Sequence, residues 1–358
     1  MHVDTLDIHQ FRNIRDAHLG LAPHLTLVVG NNAQGKTNAL EALYLVLQGR
    51  SFRTGSDHDW FPVGGPEFCA MSATLTSAQG SQETIQYRVS KIPRSRIHRG
   101  PKIPVVLFNP DDLNLSKGSP SDRRRFLDST LSALNPRYEK VLRQYQHALL
   151  QRNRALKDPR LASTVQSFTP ALISHGFYLW KERDRILLPL IASASEIHER
   201  ITDGGRLEAK FHYGGSSVPI VSEAAYQAAL DQRATDERLR LVSLVGPHRD
   251  DLELSIDGRS AATFASQGQH RAIALSLKLA TYNLLNLEWG RPPIILLDDV
   301  LSELDPQRRQ ELLSVISRDG QQTIVTDTEA RSYQHLSPTI YQVERGTFYL
   351  WDRKHDKS

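Results

Sequence analysis

Eight consecutive residues, Gly30-Asn31-Asn32-Ala33-Gln34-Gly35-Lys36-Thr37, constrain the fold of this chain more than any other stretch. They fit the pattern G-x-x-x-x-G-K-[ST]. They stand between an apolar run, Leu25 to Val29, and residues Leu40, Leu43, Tyr44 and Leu47, which recur at helical spacing up to Gly49. Strand, glycine loop and helix in that order predict a phosphate-binding α/β core. The glycines let backbone N–H groups curl into an anion nest at the helix start. Lys36 brings a positive charge to the β- and γ-phosphates of ATP, and the Thr37 hydroxyl suits Mg²⁺. Asn38, the next residue, is counted with this nucleotide-binding set.

Ile294-Ile295-Leu296-Leu297-Asp298-Asp299 reads as a buried parallel strand that delivers two carboxylates to the sheet edge where α/β proteins bind ligands. Asp298 is expected to hold Mg²⁺, and Asp299 to polarise the attacking water. Ser266-Gln267-Gly268-Gln269 precedes a helical stretch from Gly268 to about Asn286. By itself that tetrapeptide reads as an N-cap by Ser266, but a serine and glycine at a helix start can also grip phosphate.

Elsewhere, Val3 to Phe11 alternates like a strand, and Phe68 to Val89 falls into short alternating segments broken at Gly80 and Ser81, as in an antiparallel sheet. Val105 to Phe108 reads as another buried strand. From about Asp122 to Arg200 the chain turns helix-forming and rich in Leu, Arg and Gln, with Pro136, Pro159, Pro170 and Pro189 as punctuation. Strand patterns resume at Arg206 to Tyr213, Leu252 to Ile256 and Gln322 to Val325, and Ile340 to Trp351 reads as a hairpin around Gly346. The expected organisation is an α/β ATPase head built from residues 1–115 and 206–358, with a second, mainly helical lobe over 116–205.

With 358 residues, 39% of them hydrophobic, the chain is long enough for two lobes. No window approaches the run of about 18 apolar residues of a membrane helix, and the start lacks the layout of a signal peptide; the expectation is a cytoplasmic, nucleoid-associated protein with no membrane partner. The single cysteine, Cys69, cannot form an internal disulfide, and the scattered histidines give no support for zinc. The net charge is only +4, but the cations cluster. Candidate DNA contacts are the Arg94-Ser95-Arg96-Ile97-His98-Arg99 stretch with Lys102, the cluster Arg123, Arg124 and Arg125, and Arg152 and Arg154 in a longer basic arm with Arg137, Lys140, Arg143, Lys157 and Arg160. Few aromatics interleave them, which favours contact with duplex phosphates over base stacking; a solvated face is the competing reading for each cluster. His248 and Arg249, in a polar turn, fit a structural or a site-lining role equally.

Glycine loop, Ser-x-Gly-Gln, apolar-Asp-Asp, then Ser302-Glu303-Leu304-Asp305 is an order that resembles the ATP-binding cassette superfamily. Lys36 and Ser266 are about 230 positions apart, too far for a transporter ATPase. The intervening helical stretch is also too short and proline-broken for the long coiled coil of an SMC protein. Phe11-Arg12-Asn13, Gly49-Arg50-Ser51-Phe52-Arg53-Thr54, Phe108-Asn109-Pro110-Asp111-Asp112-Leu113, Gln151-Arg152-Asn153 and Val245-Gly246-Pro247-His248-Arg249-Asp250-Asp251-Leu252 resemble the RecF family of gap-repair ATPases across nearly the whole chain. That resemblance implies an ABC-type head dimerising on ATP, with Ser266, Gly268 and Gln269 of one copy meeting nucleotide on the P-loop of the other. It implies weak ATPase activity with catalytic roles for Lys36, Ser266, Asp298 and Asp299. It further implies binding to duplex DNA and gap junctions in repair, replication and the SOS response, and RecR- and RecO-type partners that help load recombinase. Arg12 reaches the nucleotide by the resemblance, while a surface arginine explains it as well. Asp299 stands where a glutamate is usual in the superfamily, and Thr326-Asp327 stand where transporters carry a switch histidine; altered water positioning and γ-phosphate contact predict slow hydrolysis. The rival reading is a nucleotide-gated protein scaffold whose DNA contact is secondary.

Overall fold

The computed structural model of the protein describes residues 1–351 except 54–55, 63, 78, 203–204, 302–303, 331–332 and 334–335. In chain order the strands are β1 (His2–Phe11), β2 (Ile14–Gly20), β3 (Leu25–Val29), β4 (Phe68–Thr76), β5 (Gln82–Ser90), β6 (Ser95–Arg99), β7 (Val105–Phe108), β8 (Leu207–His212), β9 (Asp251–Ile256), β10 (Arg259–Ser260), β11 (Ile294–Asp298), β12 (Thr323–Asp327), β13 (Thr339–Glu344) and β14 (Thr347–Leu350). The helices are α1 (Lys36–Gln48), α2 (Asn114–Lys117), α3 (Pro120–Leu134), α4 (Pro136–Lys157), α5 (Val165–Ile201), α6 (Glu223–Arg240), α7 (Ala261–Phe264), α8 (Gln267–Trp289) and α9 (Pro306–Ile316). They form two compact units, one of residues 1–110 and 285–358, the other of 111–284.

The first unit holds two sheets. One is antiparallel, in the order β2-β1-β4-β5-β6, and the other runs β14-β13-β3-β12-β11-β7, parallel apart from β14. Strands β3, β7, β11 and β12 are buried at every residue, which is why β7 and Ile294 to Leu297 of β11 read as unbroken apolar runs rather than alternations, while β3 and β12 also bury Thr26, Thr323, Thr326 and Asp327. Helix α1 is buried almost all round, with Leu40, Leu43, Val46 and Leu47 sharing one core with residues of both sheets, such as Val3, Met71, Leu107 and Leu296. Gly49 ends α1 at φ 71, its N–H bonding the Leu45 carbonyl. The buried Gln322 amide ties β1 to the start of β12: it accepts from Val3 N–H at 2.8 Å and donates to the Val3 carbonyl at 2.7 Å.

The second unit packs α3, α4, α5 and α6 around Tyr138, Tyr145, Leu172, Leu179, Trp180, Tyr226 and Val245. It also contains the three-stranded sheet β10-β9-β8, so it runs on to Leu284, where the sequence reading had ended the helical lobe at 205 and returned 206–358 to the head. The reason is that β8 follows α5 and packs on it, while β9 packs on α3. Two of the four prolines do not punctuate. Pro136 and Pro159 begin helical turns, as proline at the first helical position does, but Pro170 and Pro189 lie inside the 37-residue α5.

Candidate functional site

Strand β3 ends at Val29 and the chain turns at once through the glycine loop into α1. Gly30 is fixed by its neighbour, since a Cβ there would lie 2.6 Å from the Val343 carbonyl oxygen of β13. Gly35, at φ 118, leaves its own contact with the Asn13 side chain only 3.0 Å for a Cβ. Lys36 is 4% exposed, and its ammonium donates to the carbonyls of Gly30 at 2.8 Å and Asn31 at 3.3 Å, with the Asp299 carboxylate 3.9 Å away.

The P-loop and the end of β11 meet. The Thr37 hydroxyl donates to Asp298 Oδ1 at 2.8 Å, and the buried Thr326 hydroxyl, from β12, donates to the same oxygen at 2.8 Å. Asp299 sits just past the strand at φ 52, its N–H held by the Thr326 carbonyl at 3.1 Å. A hydroxyl and a carboxylate in contact at the sheet edge are hard oxygen donors of the kind Mg²⁺ takes alongside phosphate oxygens. One strand over, buried Asp327 accepts from the Tyr333 hydroxyl at 2.7 Å. Burial and the Asp327 charge push that phenol far above its usual range, so it stays a donor.

A polar collar surrounds the loop; Arg12, Gln34 and Asn38 are the members expected from the sequence to serve the nucleotide, while Glu41 and Arg345 are not foreseen there. Arg12 does not point out alone: it makes a two-pronged bond, at 2.7 and 3.0 Å, to the fully buried Glu41 carboxylate on α1. Ser51 also donates to Glu41, at 2.5 Å, and Arg53 bonds Asn38 at 2.9 Å. The Asn13 amide donates to the Gln34 carbonyl at 3.0 Å and takes a bond from the Asn38 amide at 2.7 Å. From the other side the β13–β14 turn reaches in, with the Arg345 N–H on the Gln34 side chain at 2.7 Å and the Gly346 N–H on the Gln34 carbonyl at 2.8 Å. A glutamate in the middle of an apolar helix was the one available signal for this collar.

Ser266, Gly268 and Gln269 lie in the other unit. Ser266 is exposed and starts α8 in a reciprocal cap: its N–H bonds Gln269 Oε1 at 2.8 Å and its hydroxyl accepts from the Gln269 N–H at 3.2 Å. Ser302 and Glu303 lie outside the described residues; Asp305 caps α9, accepting from the Arg308 N–H at 3.1 Å.

The arginine candidates divide sharply. Arg123 is buried in a two-pronged bond to Asp251 at 2.6 and 3.0 Å, and Arg124 donates to the Asp250 carbonyl at 2.7 Å. Arg152 is buried against Glu237 and Ser243, each at 2.6 Å. These three hold the second unit together, so they are not set out as a phosphate-contact surface; Arg125 and Arg154 are exposed. His248 is also internal. Burial, with the charges of Arg249, Arg124 and Arg152, lowers it to about 4, so it is neutral: Nε2–H donates to the Ser243 carbonyl at 3.1 Å, and Nδ1 accepts from the Tyr145 hydroxyl at 2.6 Å. Arg249 is exposed at its tip and donates to the same carbonyl at 2.9 Å.

Residues 2–347 match the family model described as RecF/RecN/SMC N terminal domain. Among curated proteins the chain is similar to "DNA replication and repair protein RecF" of Symbiobacterium thermophilum, at 36% identity over 99% of both chains. It is likewise similar to the protein of that name from Halalkalibacterium halodurans, at 37% over 97% of this chain and 99% of that one. Among solved structures it is similar to the recombination mediator protein RecF-ATP of the RecFOR pathway, with TM-score 0.87, 28% identity and 98% of each chain covered. A Smc head domain from Pyrococcus furiosus, TM-score 0.54 at 16% identity over 98% of this chain and 96% of that one, shares the fold.

Proposed function

Because the chain belongs to the RecF/RecN/SMC N-terminal domain family, we propose that it is an ATP-dependent DNA-binding ATPase of recombinational repair, closing as a dimer on ATP and holding duplex DNA at gaps. The observation that carries this reading is the meeting of Thr37 and Asp298 at 2.8 Å beside the buried Lys36. In this reading the ammonium of Lys36, now spent on two loop carbonyls, turns to the β- and γ-phosphates, and the loop N–H groups from Asn31 to Thr37 enclose them. Thr37 and Asp298 would hold Mg²⁺, which supplies charge neutralisation on the phosphate oxygens. Asp299 orients and deprotonates the water. Its short side chain, on a left-handed residue fixed by Thr326, makes for slow turnover.

Ser266, Gly268 and Gln269 serve the nucleotide of the partner copy: the hydroxyl and the first N–H groups of α8 leave their reciprocal cap and take γ-phosphate oxygens. Arg12 acts through Glu41, bracing α1 behind the phosphate loop. RecR- and RecO-type proteins are the expected partners. The test is duplex binding by the purified chain with and without ATP. Lys36→Met should lose at least tenfold in ATP affinity, since charge-assisted bonds to phosphate contribute about 1.5–3 kcal/mol each, and should lose the ATP-dependent part of DNA binding. Duplex binding that ignores ATP in the wild type would refute the reading and favour a nucleotide-gated protein scaffold.

A further inference from the structure

Helix α4 carries a pattern that its fold does not use. Its inner face, with Tyr138, Val141, Tyr145, Ala148, Arg152 and Ala155, is buried. Its outer face presents positions 140, 143, 147, 150, 154 and 157, steps of three and four that keep one line along a helix. Four of the six are Lys140, Arg143, Arg154 and Lys157, all exposed, with His147 and Leu150 between them. No Asp or Glu shares the line. Helix α6 shows the contrast expected of a merely solvated helix: Asp231, Arg233, Asp236 and Arg238 mix the two signs, and Arg233 pairs with Asp236 at 3.3 Å. Four like charges on one line repel, and the one acid of the helix, Glu139, is half-buried beside the line rather than on it, so the line keeps a net positive charge suited to an anion of similar length.

We propose that the outer line of α4 is a track for the phosphate backbone of duplex DNA. This rests on the reading of the chain as a DNA-binding ATPase and says where, on a single copy, the duplex is held. From Lys140 to Lys157 the helix rises about 26 Å, the length of roughly seven base pairs, over which phosphates of one strand and then the other come within reach of flexible Lys and Arg side chains. No Phe, Tyr or Trp lies on the line, so it has no broad platform for stacking bases and favours phosphate contact over sequence reading. Arg152, turned inward to Glu237 and Ser243, ties α4 to the rest of its unit, and Arg123 is buried against Asp251; neither is part of the contact.

The experiment is fluorescence anisotropy of a 20-base-pair duplex on the full chain with ATP, over a series of salt concentrations. The variant is Lys140→Gln, Arg143→Gln, Arg154→Gln and Lys157→Gln combined. Four lost phosphate contacts should flatten the slope of log affinity against log salt by about 3–4 and weaken binding at low salt at least a hundredfold, while ATP binding stays unchanged. The charge-keeping set Lys140→Arg, Arg143→Lys, Arg154→Lys and Lys157→Arg should restore the slope, which a folding defect would not do. A combined glutamine variant with wild-type affinity and slope overturns the track and leaves the DNA-binding reading standing, whereas a wild type that binds no duplex overturns both. If the variant keeps duplex but loses binding to polyglutamate, the track is overturned in favour of an acidic protein partner.

Discussion

Thr326 is one hydroxyl that serves two carboxylate residues. It donates to Asp298 Oδ1 at 2.8 Å, and its oxygen stands 3.2 Å from the N–H of Asp299, which it helps keep in the left-handed region at φ 52. A left-handed aspartate costs about 1 kcal/mol, offset here by those bonds to the N–H. Thr326→Val keeps the shape and removes the hydroxyl: ATP affinity should change little, but steady-state turnover should fall about 10–100-fold, and Thr326→Ser should recover most of it. Wild-type turnover in the valine variant would show that Thr326 only packs. His248 gives a second test. Its folded value near 4 lies below the ordinary 6.5, so between those limits the unfolded chain binds the extra proton and stability must fall as pH falls. Denaturant melts from pH 7 to 4.5 should show a loss of about 2–3 kcal/mol that His248→Gln lacks. Asp250, whose carboxyl burial pushes up, acts in the opposite sense in both proteins and cancels in the comparison. Lys36, Thr37, Asp298 and Asp299 were legible because each sits in a contiguous string. Thr326 shows in the sequence only as a departure from the superfamily pattern and Asn13 only as part of a motif string, and Glu41 is not foreseen at all, because the partners that give them a role lie far along the chain. The Arg123 to Arg125 run misled because a helix turns consecutive residues by 100°, sending one cation inward and one outward.

At the scale of elements, the β13–β14 turn is a latch on the phosphate loop. Arg345 and Gly346 have φ values of 49 and 79, and a Cβ on Gly346 would sit 2.2 Å from the Asn13 carbonyl oxygen. Gly346→Ala should therefore push Asn13 and Gln34 apart, lower ATP affinity about tenfold and lower the melting temperature by several degrees, read by nucleotide titration and calorimetry. Unchanged ATP affinity with a lowered melting temperature would reduce the turn to a structural hairpin. The strands β3, β7 and β11 were readable almost to the residue, since full burial leaves an apolar run with sharp ends. Helix α5 was not. A proline inside a helix costs about 3 kcal/mol, and local sequence has no view of what offsets it: Leu172, Ile173, Leu179, Trp180, Ile186 and Leu190, all buried on the same helix, each contribute about 1.5–3 kcal/mol by leaving water. Strands β8 and β9, expected in the head, lie in the second unit because strand patterns show where strands are and not which sheet takes them; the two-residue β10 leaves no pattern to read.

For the whole molecule, a shared site has a consequence that a single-chain ATPase cannot show. Ser266→Arg should leave ATP on the P-loop yet block closure, while Lys36→Met should fail at ATP binding. A mixed dimer gathers both defects into one site and leaves the other intact. Mixing the two should restore part of the ATP-dependent dimer seen by sedimentation; no gain, with ATP binding by the Ser266 variant verified, would mean that Ser266 does not act across the interface. The path of the chain adds something else. Strands β7 and β11 are neighbours in one sheet, but residues 111–284 come between them, and β3 is flanked only by β12 and β13. The phosphate-loop strand therefore leaves the ribosome well before β12 and β13, the strands it pairs with. The contiguous second unit can fold meanwhile, which makes this ATPase a protein whose nucleotide pocket is finished last and whose nascent form is most exposed to chaperones and misassociation at the strand it can least do without.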